Sequence, residues 1–294
     1  MEKRSFATGG RPAQGSSSRI ASQLLPTRIF DFRQPSESVQ IHLTVKLATV
    51  GFRQLFDIMD ASYVNPYTTV AQADVVARTS FFQKTYLHVA GAIVAFIAIE
   101  AALLQMPMAK SLAQSMTSGM SWLIVLGAFM AVSWLADKWA NSDTSRGMQY
   151  AGLGLFVVAE AVIFLPLLLA ATAISQFRNS NLIAEAGVVT LLLVAGITAI
   201  AFTTKKDFSF LGSFLKIAFF VAIGVIVASV LFGFSLGIVF SAVMALIAAG
   251  SILYTTSNII HRYNPNQHVA ASLALFSGIA LLFWYVLQIF MSRD

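Results

Sequence analysis

The chain has 294 residues, 57% of them hydrophobic and 11% charged, with a mean hydropathy of +0.75. Soluble domains carry roughly 25% charged residues, so this composition excludes a water-soluble globule and predicts an integral membrane protein. Net charge is +6, with ten of the nineteen Lys and Arg ahead of residue 85, and the absence of cysteine excludes disulfides and thiolate metal sites.

In a membrane chain a basic N-terminal bias reports orientation and attraction to anionic lipid before it reports nucleic acid. Residues 1–39 are rich in Ser, Gly, Pro and Arg and too polar to fold alone. They read as a disordered cytosolic tail, with an organelle transit peptide as the alternative and no secretory signal peptide expected. Residues 40–58 are weakly amphipathic, and Met59 offers a second plausible start, which would make 1–58 an over-extended reading frame. The division expected is a basic tail over 1–84 and a transmembrane domain over 85–292.

A bilayer-spanning helix needs about 20 mostly apolar residues. Seven runs qualify by eye: 85–105, 121–140, 148–172, 187–204, 211–232, 236–258 and 268–290. Their boundaries carry Pro107, Asn141, Asn179, Asp207, Gly233 and Asn264-Pro265, the expected breakers. The prediction is an all-α integral membrane protein, a bundle of seven transmembrane helices. With the N-terminus cytoplasmic, the inner loops hold Lys138, Arg146, Lys205, Lys206, Lys216 and Arg262, and the outer ones Lys110, Arg178 and Arg293. That asymmetry favours N-in and C-out, and a re-entrant run would return the C-terminus inside.

Close helix packing in lipid needs small residues. Gly91/Ala95 and Ala98/Ala102 mark such a face on the first run, Gly152/Ala159 on the third, Ala218/Ala222 on the fifth and Ala245/Ala249 on the sixth. Pro166 should kink the third run, because it removes a ladder hydrogen bond and crowds the carbonyl four residues back.

Intramembrane ionisable groups are the best site candidates, each costing roughly 2.5–3.5 kcal/mol at a helix centre. Glu160 sits mid-run beside the small-residue face. It reads either as an ion or proton ligand or as a protonated carboxyl bonded to a neighbouring helix. Glu100, five residues from the end of its run, is expected to snorkel to the interface. His88 is expected at the inner interface without a second His at ligand spacing on its helix. Asp137 and Lys138 are expected to be solvated, and Lys216 to reach the inner headgroups. Ser251, Thr255 and Asn258 share one face of the sixth run, lining a polar path or bonding across the bundle. No nucleophile–base pair, phosphate loop or metal-ligand cluster stands in the sequence, so neither enzyme activity nor a cofactor is expected.

The run Phe202 to Leu215, with its core Lys205-Lys206-Asp207-Phe208-Ser209-Phe210-Leu211, resembles a loop of the transmembrane Bax inhibitor motif (Bax inhibitor-1-like) family. Ile252-Leu253-Tyr254, Ile259 to Tyr263, Leu273 to Phe276 and Leu282-Phe283 agree with it, and Arg78 to Tyr86 resembles bacterial members. The resemblance covers about residues 60–292 and implies a seven-helix bundle with the last helix central. It also implies a pH-sensitive calcium leak set by two facing aspartates, whose positions here are Thr255 and Gly278. Without those carboxylates the like-charge switch is not carried over. The expectation therefore favours a modulator or partner of other membrane proteins, such as a membrane-bound protease, in a stress response. The alternative is a calcium or cation leak without the aspartate pair, its site moved to Glu160 and the Thr255 face. The compartment implied is the bacterial inner membrane, with an organelle membrane as the alternative.

Overall fold

The computed structural model describes residues 69–118, 121–142, 145–204, 206–232, 234 and 237–292. The expectations for the basic tail before residue 69, the 40–58 stretch and a start at Met59 lie outside these residues. Among the described residues eight helices follow one another: α1 (Val75–Gln105), α2 (Ala109–Thr117), α3 (Ser121–Ala140), α4 (Arg146–Arg178), α5 (Leu182–Thr204), α6 (Phe210–Phe232), α7 (Gly237–His261) and α8 (His268–Met291). Each of the seven expected runs falls on one helix. The eighth element, α2, is a short helix in what was expected to be a connection. Five helices, α1, α4, α5, α7 and α8, are long and apolar enough to cross a membrane among the described residues.

Local chemistry explains the boundaries. The Asp74 carboxylate accepts from the Ala77 N–H at 2.8 Å and caps α1. Met106 leaves the helix in an extended conformation (φ −67°, ψ 133°) because Pro107 disfavours a helical residue before it. Ser145 caps α4, and Asn179 ends it at φ 51°, ψ 42°, a left-handed position that Asn tolerates better than most side chains. Within α4 the helix runs on through Pro166. The α7–α8 turn is closed by side chains, with the Asn266 N–H donating to Asn264 Oδ1 and the Asn264 N–H to Gln267 Oε1, each at 3.0 Å. Val70, fully buried, docks on that turn by donating its N–H to the Tyr263 carbonyl at 2.8 Å.

The bundle is built around α8. Some 83% of its most apolar stretch is buried, against 22% for α1 and 17% for α5. It packs against α1, α3, α4, α5 and α7, while α6 packs against α7. A helix this apolar all round is suited to an interior position. Large apolar side chains on the other helices, such as Leu87, Val94, Ile97, Leu192, Ile217 and Leu246, stay exposed and form a surface suited to lipid.

One small-residue expectation is met by close packing and one is not. A Cβ on Gly152 would stand 2.5 Å from the Ala136 carbonyl oxygen and 2.6 Å from the Ala140 nitrogen, so only glycine allows α4 this near to α3. Gly91, Ala95, Ala98 and Ala102 instead lie on the exposed side of α1. The inward face of that helix is taken by Phe81, Thr85, Val89, Ala92, Phe96 and Glu100.

Candidate functional site

The last residue of that inward series is the informative one. Glu100 follows Phe96 by one turn, so it inherits an inward address and is only 4% exposed. The expected snorkelling is therefore corrected: the side chain leaves the helix on the buried face, away from the interface. Glu160 is 1% exposed, one turn after Phe156 and one turn before Phe164 on α4. Its carboxylate acts electrostatically on that of Glu100 across the α1–α4 seam. Neither oxygen of Glu100 has a hydrogen-bond partner among the described residues. Burial of two carboxyl groups disfavours their charged forms, and each acts on the other most strongly when both are ionised.

Aromatic rings pack in the turns next to the two glutamates. Phe96 meets Phe164 edge-on at 5.1 Å and Phe276 at 6.1 Å, and Phe156 meets Phe276 at 6.1 Å. Phe164 also packs edge-on against Trp284 at 4.7 Å, so both carboxylates sit in an aromatic setting joined to α8.

The polar face of α7 is buried as a separate feature. Ser251, Thr255 and Asn258 are 0%, 2% and 4% exposed. Ser251 donates back to the Ala248 carbonyl at 2.7 Å, whereas Thr255 Oγ1 and Asn258 Oδ1 have no hydrogen-bond partner among the described residues. A Cβ on Gly278 would lie 3.1 Å from Ile252 and 3.7 Å from Ser251 Oγ. Of the two positions at which the resemblance places aspartates, Gly278 thus faces Ile252 and Ser251 of α7, and Thr255 is buried one turn after Ser251. The carboxylates stand instead on α1 and α4. Sequence reasoning missed Glu100 as a partner of Glu160. The available signal was its place in the Phe81, Thr85, Val89, Ala92, Phe96 series.

The Asp207 loop has a structural role. Asp207 Oδ1 accepts from the Ser209 N–H at 2.9 Å, and Arg262 stands 3.7 Å from its other oxygen. The Phe208 N–H donates to Ser257 Oγ at 2.9 Å, tying the α5–α6 loop to the end of α7. Partial burial pushes the Asp207 carboxyl up, but the Ser209 N–H and Arg262 outweigh it and hold it below the usual carboxylate range. Tyr263, in the next turn, is buried beside Asp137 and Tyr254, and its hydroxyl is pushed up, chiefly by burial. Asp137 is half-buried and accepts from Asn141 Nδ2 at 3.0 Å. Lys138 is exposed over the Trp134 ring, and Lys216 is exposed. His88 is not isolated: α8 brings His268 to a ring separation of 5.3 Å.

The family described as inhibitor of apoptosis-promoting Bax1 matches residues 78–294. The chain belongs to the Bax inhibitor-1-like family. The match begins at Arg78, three residues into α1, and takes in the carboxylate pair, the Asp207 loop and the α7–α8 hairpin. The chain is 39% identical to an uncharacterised protein of Pseudomonas aeruginosa over 38% of its own length and 51% of that protein's. It is 31% identical to Bax inhibitor 1 of Schizosaccharomyces pombe over 57% of this chain and 61% of that one. It is 27% identical to protein LIFEGUARD 4 of Arabidopsis thaliana over 74% and 86% of the two chains. The first two alignments thus span about half and three fifths of those relatives.

Proposed function

We propose that this Bax inhibitor-1-like chain is a slow cation or proton leak of a bacterial inner membrane whose acidic site is the Glu100–Glu160 pair. The burial of two acidic side chains, Glu100 on α1 and Glu160 on α4, carries the reading. Each costs roughly 2.5–3.5 kcal/mol at membrane depth, an expense that is uncommon without a function. Thr255 and Gly278 leave the α7–α8 seam without a charge, and the pair on α1 and α4 offers an alternative place for the titratable step. Seven spans with the N-terminus cytoplasmic, counting α3 and α6 beside the five long apolar helices, suit this reading. The test is flux from proteoliposomes loaded with a calcium dye or, separately, a pH dye. Glu160→Gln and Glu100→Gln are each expected to lower the flux about tenfold, the effect of losing about 1.4 kcal/mol of binding at the site. Wild-type flux no greater than that of empty vesicles, or unchanged by both substitutions, would sink the proposal.

A second reading is a modulator of another membrane protein, such as a membrane-bound protease. It is favoured by the exposed small-residue stripe Gly91, Ala95, Ala98 and Ala102, since small residues permit close helix approach. Purification from native membranes in mild detergent is expected to retain a stoichiometric partner, and Ala95→Leu to release it. Recovery of the chain without any such partner counts against this reading.

A further inference from the structure

Near the starts of α4 and α8, and beside the third and fourth turns of α1, five polar side chains come together. His88 of α1 stacks on Tyr150 of α4 with ring centroids 5.4 Å apart and 27° between planes. His268, the first residue of α8, lies 5.3 Å from the His88 ring, and its Nε2 is 3.5 Å from the Tyr150 hydroxyl. The charges acting on His268 come from His88, Lys84 and Arg146, and none of them is a carboxylate. His88 donates from Nδ1 to the Lys84 carbonyl at 2.6 Å, which fixes its ring, since a carbonyl can only accept. The start of α8 has no side-chain cap, so its leading N–H groups add positive potential at the same place.

The cluster also has a definite relation to the apolar surface. Lys84 and Arg146 are exposed, and Tyr150 is 44% exposed, while His268 beneath them is 4% exposed. Leu87, one residue before His88, and Met148, two before Tyr150, are 71% and 44% exposed. Cations and a phenol hydroxyl over a buried imidazole, flanked by an exposed apolar shoulder, match an acidic phosphate carried on acyl chains. A soluble anion would have no use for the shoulder.

We propose that Lys84, Arg146 and Tyr150, set on the His88–His268 platform, form a binding site for the phosphate of an anionic phospholipid in the leaflet at this end of the bundle. Lys84 and Arg146 supply charge and the Tyr150 hydroxyl donates a hydrogen bond. The acyl chains lie along Leu87 and Met148. The site is independent of the Glu100–Glu160 pair: His88 and Glu100 are twelve residues apart on α1, about 18 Å along the helix.

The experiment titrates the full chain in mild detergent with phosphatidylglycerol, phosphatidylcholine or inorganic phosphate, with bound lipid counted by native mass spectrometry. The wild type is expected to retain phosphatidylglycerol in preference to the other two. Lys84→Gln with Arg146→Gln should weaken that binding about thirtyfold, from about one unit of headgroup attraction per basic residue. Tyr150→Phe should weaken it about fivefold. The control, Lys206→Gln with Lys216→Gln, alters two exposed lysines of the α5–α6 loop and the start of α6, and should change it less than about threefold. Equal loss in the site and control variants, phosphatidylcholine bound as tightly as phosphatidylglycerol, or inorganic phosphate bound as tightly as the lipid would each overturn the proposal. All the substitutions fall on side chains at least partly exposed. Unchanged helical content and melting temperature without added lipid therefore establish that the variants are folded.

Discussion

Asp207 lies in the most specific part of the sequence resemblance, and its chemistry explains why an acid is useful there. It accepts from the Ser209 N–H and faces Arg262, joining the α5–α6 loop to the end of α7. Its carboxyl is held below the usual range in the folded protein, so folding favours the ionised form. A group with a depressed folded value contributes stability above its unfolded value of about 3.9 and loses it as pH falls through the folded one. Thermal midpoints of the wild type should therefore fall more steeply below about pH 4 than those of Asp207→Asn. The difference should be small, because the ion pair is nearly half exposed and screened by solvent. Parallel curves for the two proteins would remove Asp207 from the acid response. At the same scale, Glu100 shows how sequence distance misleads. Five residues from a helix end looked close enough to reach water, but the direction of its Cα–Cβ bond decided the outcome.

Gly152 sets the spacing of α3 and α4. The nearest atoms to an added Cβ are backbone atoms of Ala136 and Ala140, which cannot turn away as a side chain would. Gly152→Ala is therefore expected to force the helices apart and to destabilise the bundle by about 1–3 kcal/mol, the usual range for overpacking. The check is the melting temperature in detergent, with Gly154→Ala as the control, since no atom lies within 4 Å of a Cβ there. Equal melting temperatures for the two variants would show that the α3–α4 approach is not constrained by this glycine. Glycine spacing in the sequence located the packing face of α4. On α1 the same kind of pattern lay on the outside, because the series from Phe81 through Val89 and Phe96 to Glu100 takes the inner face.

At the scale of the bundle, the described helices are arranged so that α8 is removed from the surface. Composition alone established membrane residence, because a chain with 11% charged residues cannot clothe a soluble surface. Hydropathy and breakers located the helices, since long apolar runs must satisfy their backbone internally in lipid. The family was also legible, through the Lys205 to Leu211 core and the closing hairpin. The sequence did not reveal which groups meet. Glu100 and Glu160 are sixty positions apart, and His88 and His268 are 180 apart. No local periodicity links such residues; only the side-by-side packing of α1, α4 and α8 brings them together. Burial worked in the same way. The sequence determined that each carboxylate lay on a membrane helix, and tertiary packing decided that both faced inward, because a helix's orientation about its own axis is fixed by its neighbours.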